Sequence, residues 1–85
     1  NGELLRKFFE KIRKGELNDV EQMMNSENFN INWKDSSSVE STGLHVACFK
    51  NDRLAIQLLL RNKNLKVNSK NRNGMTPLNV ACASG

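Results

Sequence analysis

Apolar residues fall along the chain in short stripes with a helical period, separated by polar loops. Leu4, Leu5, Phe8, Phe9 and Ile12 recur at i, i+1, i+4, i+5 and i+8, the spacing of one helix face. Gly15 follows, and a glycine there predicts a left-handed cap that ends the helix. Leu17, Val20, Met23 and Met24 form a second, shorter stripe. The scheme then recurs. Leu44, Ala47 and Cys48 predict the inward side of a third helix, and Asn51 stands in the place of Gly15, asparagine being the next best residue for that backbone geometry. Ile56, Leu59 and Leu60 match Val20, Met23 and Met24 on a fourth. Thr76 and Pro77 read as the cap and first turn of a last helix, where the missing proline N–H costs nothing. After each second helix comes a polar stretch with one alternating apolar pair, Phe29/Ile31 and then Leu65/Val67. These suit protruding hairpins better than full strands.

The recurrence is also one of residue identity. Thr42 to Cys48 (TGLHVAC) returns as Thr76 to Cys82 (TPLNVAC), 34 residues later. Phe29 to Asp35 returns as Leu65 to Asn71, and Gly15 to Met24 aligns with Asn51 to Leu60, both 36 later. Three segments recurring in the same order define a unit of helix, turn, helix and extended loop.

These residues resemble the ankyrin repeat. Thr42, Gly43, Leu44, His45, Val46 and Ala47 carry the resemblance, and Gly74, Met75, Thr76, Pro77, Leu78, Asn79, Val80 and Ala81 carry it more closely. Val67-Asn68 and Ile31-Asn32 support it. It implies an all-α ankyrin-repeat solenoid of stacked helix-turn-helix units, forming a single segment over residues 1–85. A first repeat spans about 3–34, a second about 35–70 and a partial third 71–85. Thr42, Leu44, His45, Ala47, Gly74, Thr76, Pro77, Leu78 and Ala81 are the motif positions. The third unit stops after its first helix. The expectation is a longer parent chain, with Leu78, Ala81 and Cys82 otherwise frayed or covered by a neighbouring molecule.

Several positions depart from the family pattern. Gly43 replaces a proline, which predicts a less rigid helix start. Ser36 to Ser41 carries two residues more than the family pattern and lacks its turn glycine, which predicts a longer and looser first hairpin. Arg53 occupies the place of Leu17, with Leu54 expected to fill the gap. Asn62 to Leu65 carries one extra residue and no glycine. Lys11 stands where the second unit has Ala47, which fits an end repeat with a solvated outer side.

Composition narrows the class. Eighty-five residues, 26% charged and 38% hydrophobic, with one proline and five glycines, make one small domain and no low-complexity chain. Asparagine supplies 13 positions, a bias without evident chemistry. The longest mostly apolar run, Leu54 to Leu60, is too short to cross a bilayer. No signal-peptide pattern and no initiating methionine open the sequence, so an excerpt is expected. The two thiols, Cys48 and Cys82, then suggest a reducing, intracellular setting, cytoplasmic before nuclear. They occupy equivalent places in adjacent units. Packed helices lie roughly 10 Å apart and a disulfide needs Cα atoms within about 7 Å, so both read as small core residues, or failing that as free thiols.

Catalytic chemistry finds no footing. His45 is the one histidine, three residues from Cys48 on the same predicted helix, which is no nucleophile–base arrangement. The resemblance gives His45 a structural role, bonding its helix to the adjacent hairpin, with Asn79 as its counterpart. There is no zinc-ligand spacing and no glycine-rich phosphate loop. Glu10 and Glu16 read as solvated charges. No enzyme activity, cofactor, metal or small-molecule substrate is expected.

What remains is protein–protein recognition, with the chain as an interaction arm, N-terminal in a larger signalling or scaffold protein. The alternatives are a structural spacer or capping segment, and a targeting arm of a GTPase-activating or kinase protein with anionic-lipid contact. In the family the docking face consists of hairpin tips and the exposed side of each first helix. By position the tips are Trp33, Lys34, Asp35 and Ser36, then Ser69, Lys70, Arg72, Asn73 and Met75, and the helix positions are Phe49 and Lys50. Trp33 is either a binding hot spot or a lid over Phe29 and Met24. Phe49 is divided between packing and contact, and Met75 leans to local packing.

Charge is uneven. Residues 1–34 balance at six bases and six acids, whereas 35–85 hold seven bases and three acids. The bases Lys50, Arg53, Arg61, Lys63, Lys66, Lys70 and Arg72 read first as a solubilising exterior, next as a surface for an acidic protein, and last as a phosphate site on lipid or nucleic acid. A membrane enters only as weak anionic-surface contact, and nucleic acid lacks the interleaved aromatic and basic pattern of a known module. The serine run Ser36 to Ser38 is a flexible turn first and a phosphorylation site second.

Overall fold

The computed structural model describes residues 2–84, with side chains over 3–83; Ser84's side chain and Gly85, at the end of the third unit's range, lie outside the described residues. Five helices form: α1 (Gly2–Lys14), α2 (Leu17–Met24), α3 (Gly43–Lys50), α4 (Arg53–Leu60) and α5 (Pro77–Ser84). A 3-10 turn covers Ser36–Ser38, and the only β pairing among the described residues is an isolated antiparallel bridge, Asp35 to Ser41. The fold is all-α, as the periodicity predicts. α1, α3 and α5 pack side by side as one layer, and α2 and α4 lie behind α1 and α3 as a second.

The repeat is visible in individual backbone bonds. The N–H of Gly15 donates to Ile12 O and that of Glu16 to Lys11 O; 36 residues on, Asn51 donates to Cys48 O and Asp52 to Ala47 O. Gly15 (φ 77°) and Asn51 (φ 58°) both take the left-handed conformation, so each first helix ends in the same cap. In the loops, Phe29 N–H to Ser26 O and Trp33 N–H to Asn30 O return as Leu65 N–H to Asn62 O and Ser69 N–H to Lys66 O.

Leu5, Phe8, Phe9 and Ile12 of α1 are buried, and the last three meet Val20 of α2, Leu44, Ala47 and Cys48 of α3, and Ala55 and Leu59 of α4 in one core. Burying side chains of this size contributes about 1.5–3 kcal/mol each. Ala47 and Ala55 are fully buried. Their counterparts in the first unit are Lys11 and Asp19, whose Nζ and Oδ2 lie 3.0 Å apart, and Glu16 adds a second carboxylate at 2.8 Å. The outer side expected at Lys11 is therefore an ion-paired one, and Glu16 is not merely solvated. These bonds, that to Glu16 first, hold the Lys11 ammonium above its ordinary value.

Three expectations need correction. Leu54 does not fill the place left by Arg53: α4 turns Ala55 and Leu59 inward, and this rotation leaves Leu54 66% exposed and Leu60 51% exposed. Cys82 is exposed rather than a core residue, while Cys48 is buried and both thiols are free. Leu78 is 71% exposed and Ala81 half-buried, as expected of a unit with no second helix against α5 among the described residues. The first hairpin is longer but not looser. Asp35 Oδ1 accepts from the N–H and the hydroxyl of Ser37, Asp35 O accepts from Ser38 and Glu40, and Asp35 N–H donates to Ser41 O at 2.9 Å. Val39 and Glu40 supply, at φ 49° and 56°, the left-handed turn that a glycine would otherwise make.

Gly43 also proves more constrained than its sequence suggests. It is buried, and a Cβ placed on it would stand 2.8 Å from Phe8 Cε2 and 3.1 Å from Ile12 Cδ1. A glycine lets α3 lie directly on α1. The helix start is fixed by a reciprocal cap: His45 N–H donates to Thr42 Oγ1, and Thr42 N–H donates to His45 Nδ1 at 3.1 Å.

Candidate functional site

Side chains of one unit reach the loop of the next and join the two loops into a wall. Met75 O can only accept, so His45 Nε2, 2.9 Å away, carries the proton and Nδ1 accepts from Thr42. Burial lowers the His45 pKa first, and the Lys34 charge adds to this, against the opposing pull of the Met75 bond. The net effect is a neutral imidazole. Arg72 N–H donates to Val39 O at 2.8 Å, and its guanidinium donates to Ser36 O and faces Glu40 at 3.5 Å. Lower down, Asn32 Nδ2 donates to Asn64 O at 2.8 Å while its Oδ1 accepts from Lys66 N–H at 2.7 Å. Thr76 and Asn79 repeat the Thr42–His45 cap on α5, with Asn79 Oδ1 accepting from Thr76 N–H.

Between this wall and the α1–α3–α5 layer lies an open groove of about 540 Å³. The wall gives it Ser37, Ser38, Val39, Ser41, Asn71 and Met75. The helices give Arg13 from α1, His45, Val46 and Phe49 from α3, and Val80 and Ala83 from α5. The lining is mostly apolar at its centre. Phe49 is 70% exposed because Asn51 ends α3 just beyond it and turns the chain away to α4, so nothing behind covers the ring. Arg13 lies at the α1 end, its Nη2 donating to Ser38 Oγ at 3.3 Å and its guanidinium 5.9 Å from the Phe9 ring centroid.

Of the partner-contact residues expected from position, the structure brings only Phe49 and Met75 into this groove. Met75 is also held locally, its N–H on Asn71 Oδ1 and its O on His45. Trp33 is half-buried and packs as a lid, though its seat is Phe9: the two rings meet edge-on at 5.6 Å, beside a Phe8–Phe29 pair at 4.8 Å. Asp35 is 5% exposed and serves as the internal acceptor of its own loop. Burial raises its pKa, but the Ser37 hydroxyl and N–H, the Ser38 side chain and the Arg6 charge outweigh that and hold the carboxyl below its usual range. Lys50 turns back to α1, where its ammonium donates to Ile12 O at 3.2 Å and to Arg13 O; a cation there satisfies carbonyls that a helix end leaves open. Arg72 is committed to the neighbouring loop. Lys34 and Lys70 are exposed and outside the groove.

Sequence reasoning missed Arg13, Ser38, Val39, Val46 and Val80. A signal existed for two of them: Val46 and Val80 recur at the same place in TGLHVAC and TPLNVAC. Arg13, Ser38 and Val39 are brought in by packing alone. The groove's lining includes the hydroxyls of Ser37, Ser38 and Ser41 but no thiol. Cys48 is buried, which pushes its thiol pKa up and disfavours the thiolate, and both His45 nitrogens are engaged.

The family model described as ankyrin repeats (3 copies) matches residues 8–85. No curated protein matches the chain. Ankyrin repeats are in general protein–protein interaction modules, and stacked units of this kind present a continuous concave surface. With helices, caps and loop bonds recurring every 34 to 36 residues, and the match spanning all but the first turns, the chain belongs to the ankyrin repeat family.

Proposed function

We propose that the chain recognises another protein by taking an apolar segment of it into the groove between the joined loops and the α1–α3–α5 layer. One observation carries this reading: Phe49 stands 70% exposed over a trough floored by Val46 and walled by Val39, Met75 and Val80. Covering a phenylalanine contributes about 1.5–3 kcal/mol, so such a ring left in water favours a ligand that hides it. Aromatic anchors in pockets of this kind dominate binding energetics. A spacer has no use for an open apolar trough.

The test is a selection of displayed random dodecapeptides on the 85-residue chain, with affinities of the binders measured against Phe49→Asp. Phe49 contributes little to the core, so the variant should melt with wild-type protein and bind at least about tenfold more weakly. Equal affinity for the variant, or a selection that yields no binder, would return the segment to the spacer reading.

A further inference from the structure

The groove's charges specify its partner more closely, an inference that rests on the reading just given. Arg13 is the one formally charged side chain lining it, and no carboxylate does. The two acids of the loop wall are already engaged, Asp35 buried under Ser37 and Glu40 set against Arg72. Arg13 is exposed and among the described residues meets no carboxylate, only the Ser38 hydroxyl at 3.3 Å and the Phe9 ring. Lys50 holds the Arg13 carbonyl, so a second cation stands at the same end. At the α5 end the lining is Val80 and Ala83. The trough is thus apolar along its length and positive at one end.

We infer that the groove takes an acidic–apolar peptide segment, with an apolar anchor side chain against Phe49 and Val46 and an Asp or Glu carboxylate on Arg13. A guanidinium presents a planar fork that matches a carboxylate, and the long serine contact is readily exchanged for it. A polyphosphate backbone would call for a row of cations, and the groove offers one in its lining. The chain's net charge of +4 steers an acidic partner inward.

The selected peptides test this directly. Asp or Glu should be enriched within a few residues of the apolar anchor. A synthetic binder should lose about five- to tenfold in affinity when its acid becomes Asn or Gln, and the difference should shrink as salt rises. Arg13→Glu should abolish the preference for the acid and favour a Lys-bearing twin, whereas Arg13→Lys should keep the acid preferred. Arg13 is exposed, so both variants should fold, with thermal melts as the check. Acid and amide twins binding equally, or an acid preference that survives Arg13→Glu, would overturn the charge assignment while sensitivity to Phe49→Asp still upheld the groove. Insensitivity to Phe49→Asp would remove the groove reading itself.

Discussion

At Gly43 the absence of one methyl group sets the distance between two helices. A Cβ there would press on Phe8 and Ile12, both buried and unable to swing away. Gly43→Ala should therefore lower stability by about 1–3 kcal/mol, despite alanine's higher helix propensity, as measured by urea or thermal unfolding. A gain in stability would mean that Phe8 yields. His45 offers a second test, with a defined sign. Its pKa is lowered in the fold from an unfolded value of about 6.5, so the folded state favours the neutral ring. Its contribution is fully present above about pH 6.5 and is lost as pH falls through that value toward the folded pKa. Melting temperature should decline from pH 7.5 to about pH 5, above the range where Asp35 titrates. His45→Asn, the residue the chain uses at Asn79, should keep the cap, remove this slope and lose the Met75 bond, at about 0.5–1.5 kcal/mol. An unchanged slope would show that His45 is not its source.

Among elements, what the sequence disclosed and what it hid divide by range. The five helices were legible because their determinants are local: apolar spacing, the left-handed caps at Gly15 and Asn51, and the Thr42 and Thr76 starts. The loops were not, because their residues act on partners far along the chain, from 24 positions away for Trp33 and Phe9 to 38 for Lys50 and Ile12. Asn32 read as a motif marker, yet it bridges two units through Asn64 and Lys66. Arg72 read as an outward tip, Lys50 as an exposed helix position and Trp33 as either a hot spot or a lid, and they bind Ser36, the end of α1 and Phe9. Side-chain direction at such positions depends on the stacking angle of neighbouring units, which no local pattern encodes. Asn32→Ala removes both bridging bonds from a half-buried position and should cost about 1–2 kcal/mol. Hydrogen exchange should report the loss at the Lys66 amide, while Leu44 and Ala47 in α3 stay protected. Unaltered exchange at Lys66 would mean that the bridge is not formed in solution.

For the whole molecule, the stack leaves apolar side chains in water at more than one place among the described residues. One is the groove around Phe49; outside it Leu54 and Leu60 of α4 and Leu78 of α5 are also exposed. They differ in construction. The groove is enclosed on two sides by hydrogen-bonded loops and packed helices, with an arginine at its end, whereas Leu54, Leu60 and Leu78 line no pocket with it. The account places recognition in the first. Amide chemical shifts of the labelled chain, followed as a selected peptide is added, decide between them. Shifts gathered at Ser38, Val39, Val46, Phe49, Met75 and Val80 are the predicted result. Shifts confined to Leu54, Leu60 and Leu78, with the Phe49 amide unmoved, would contradict it.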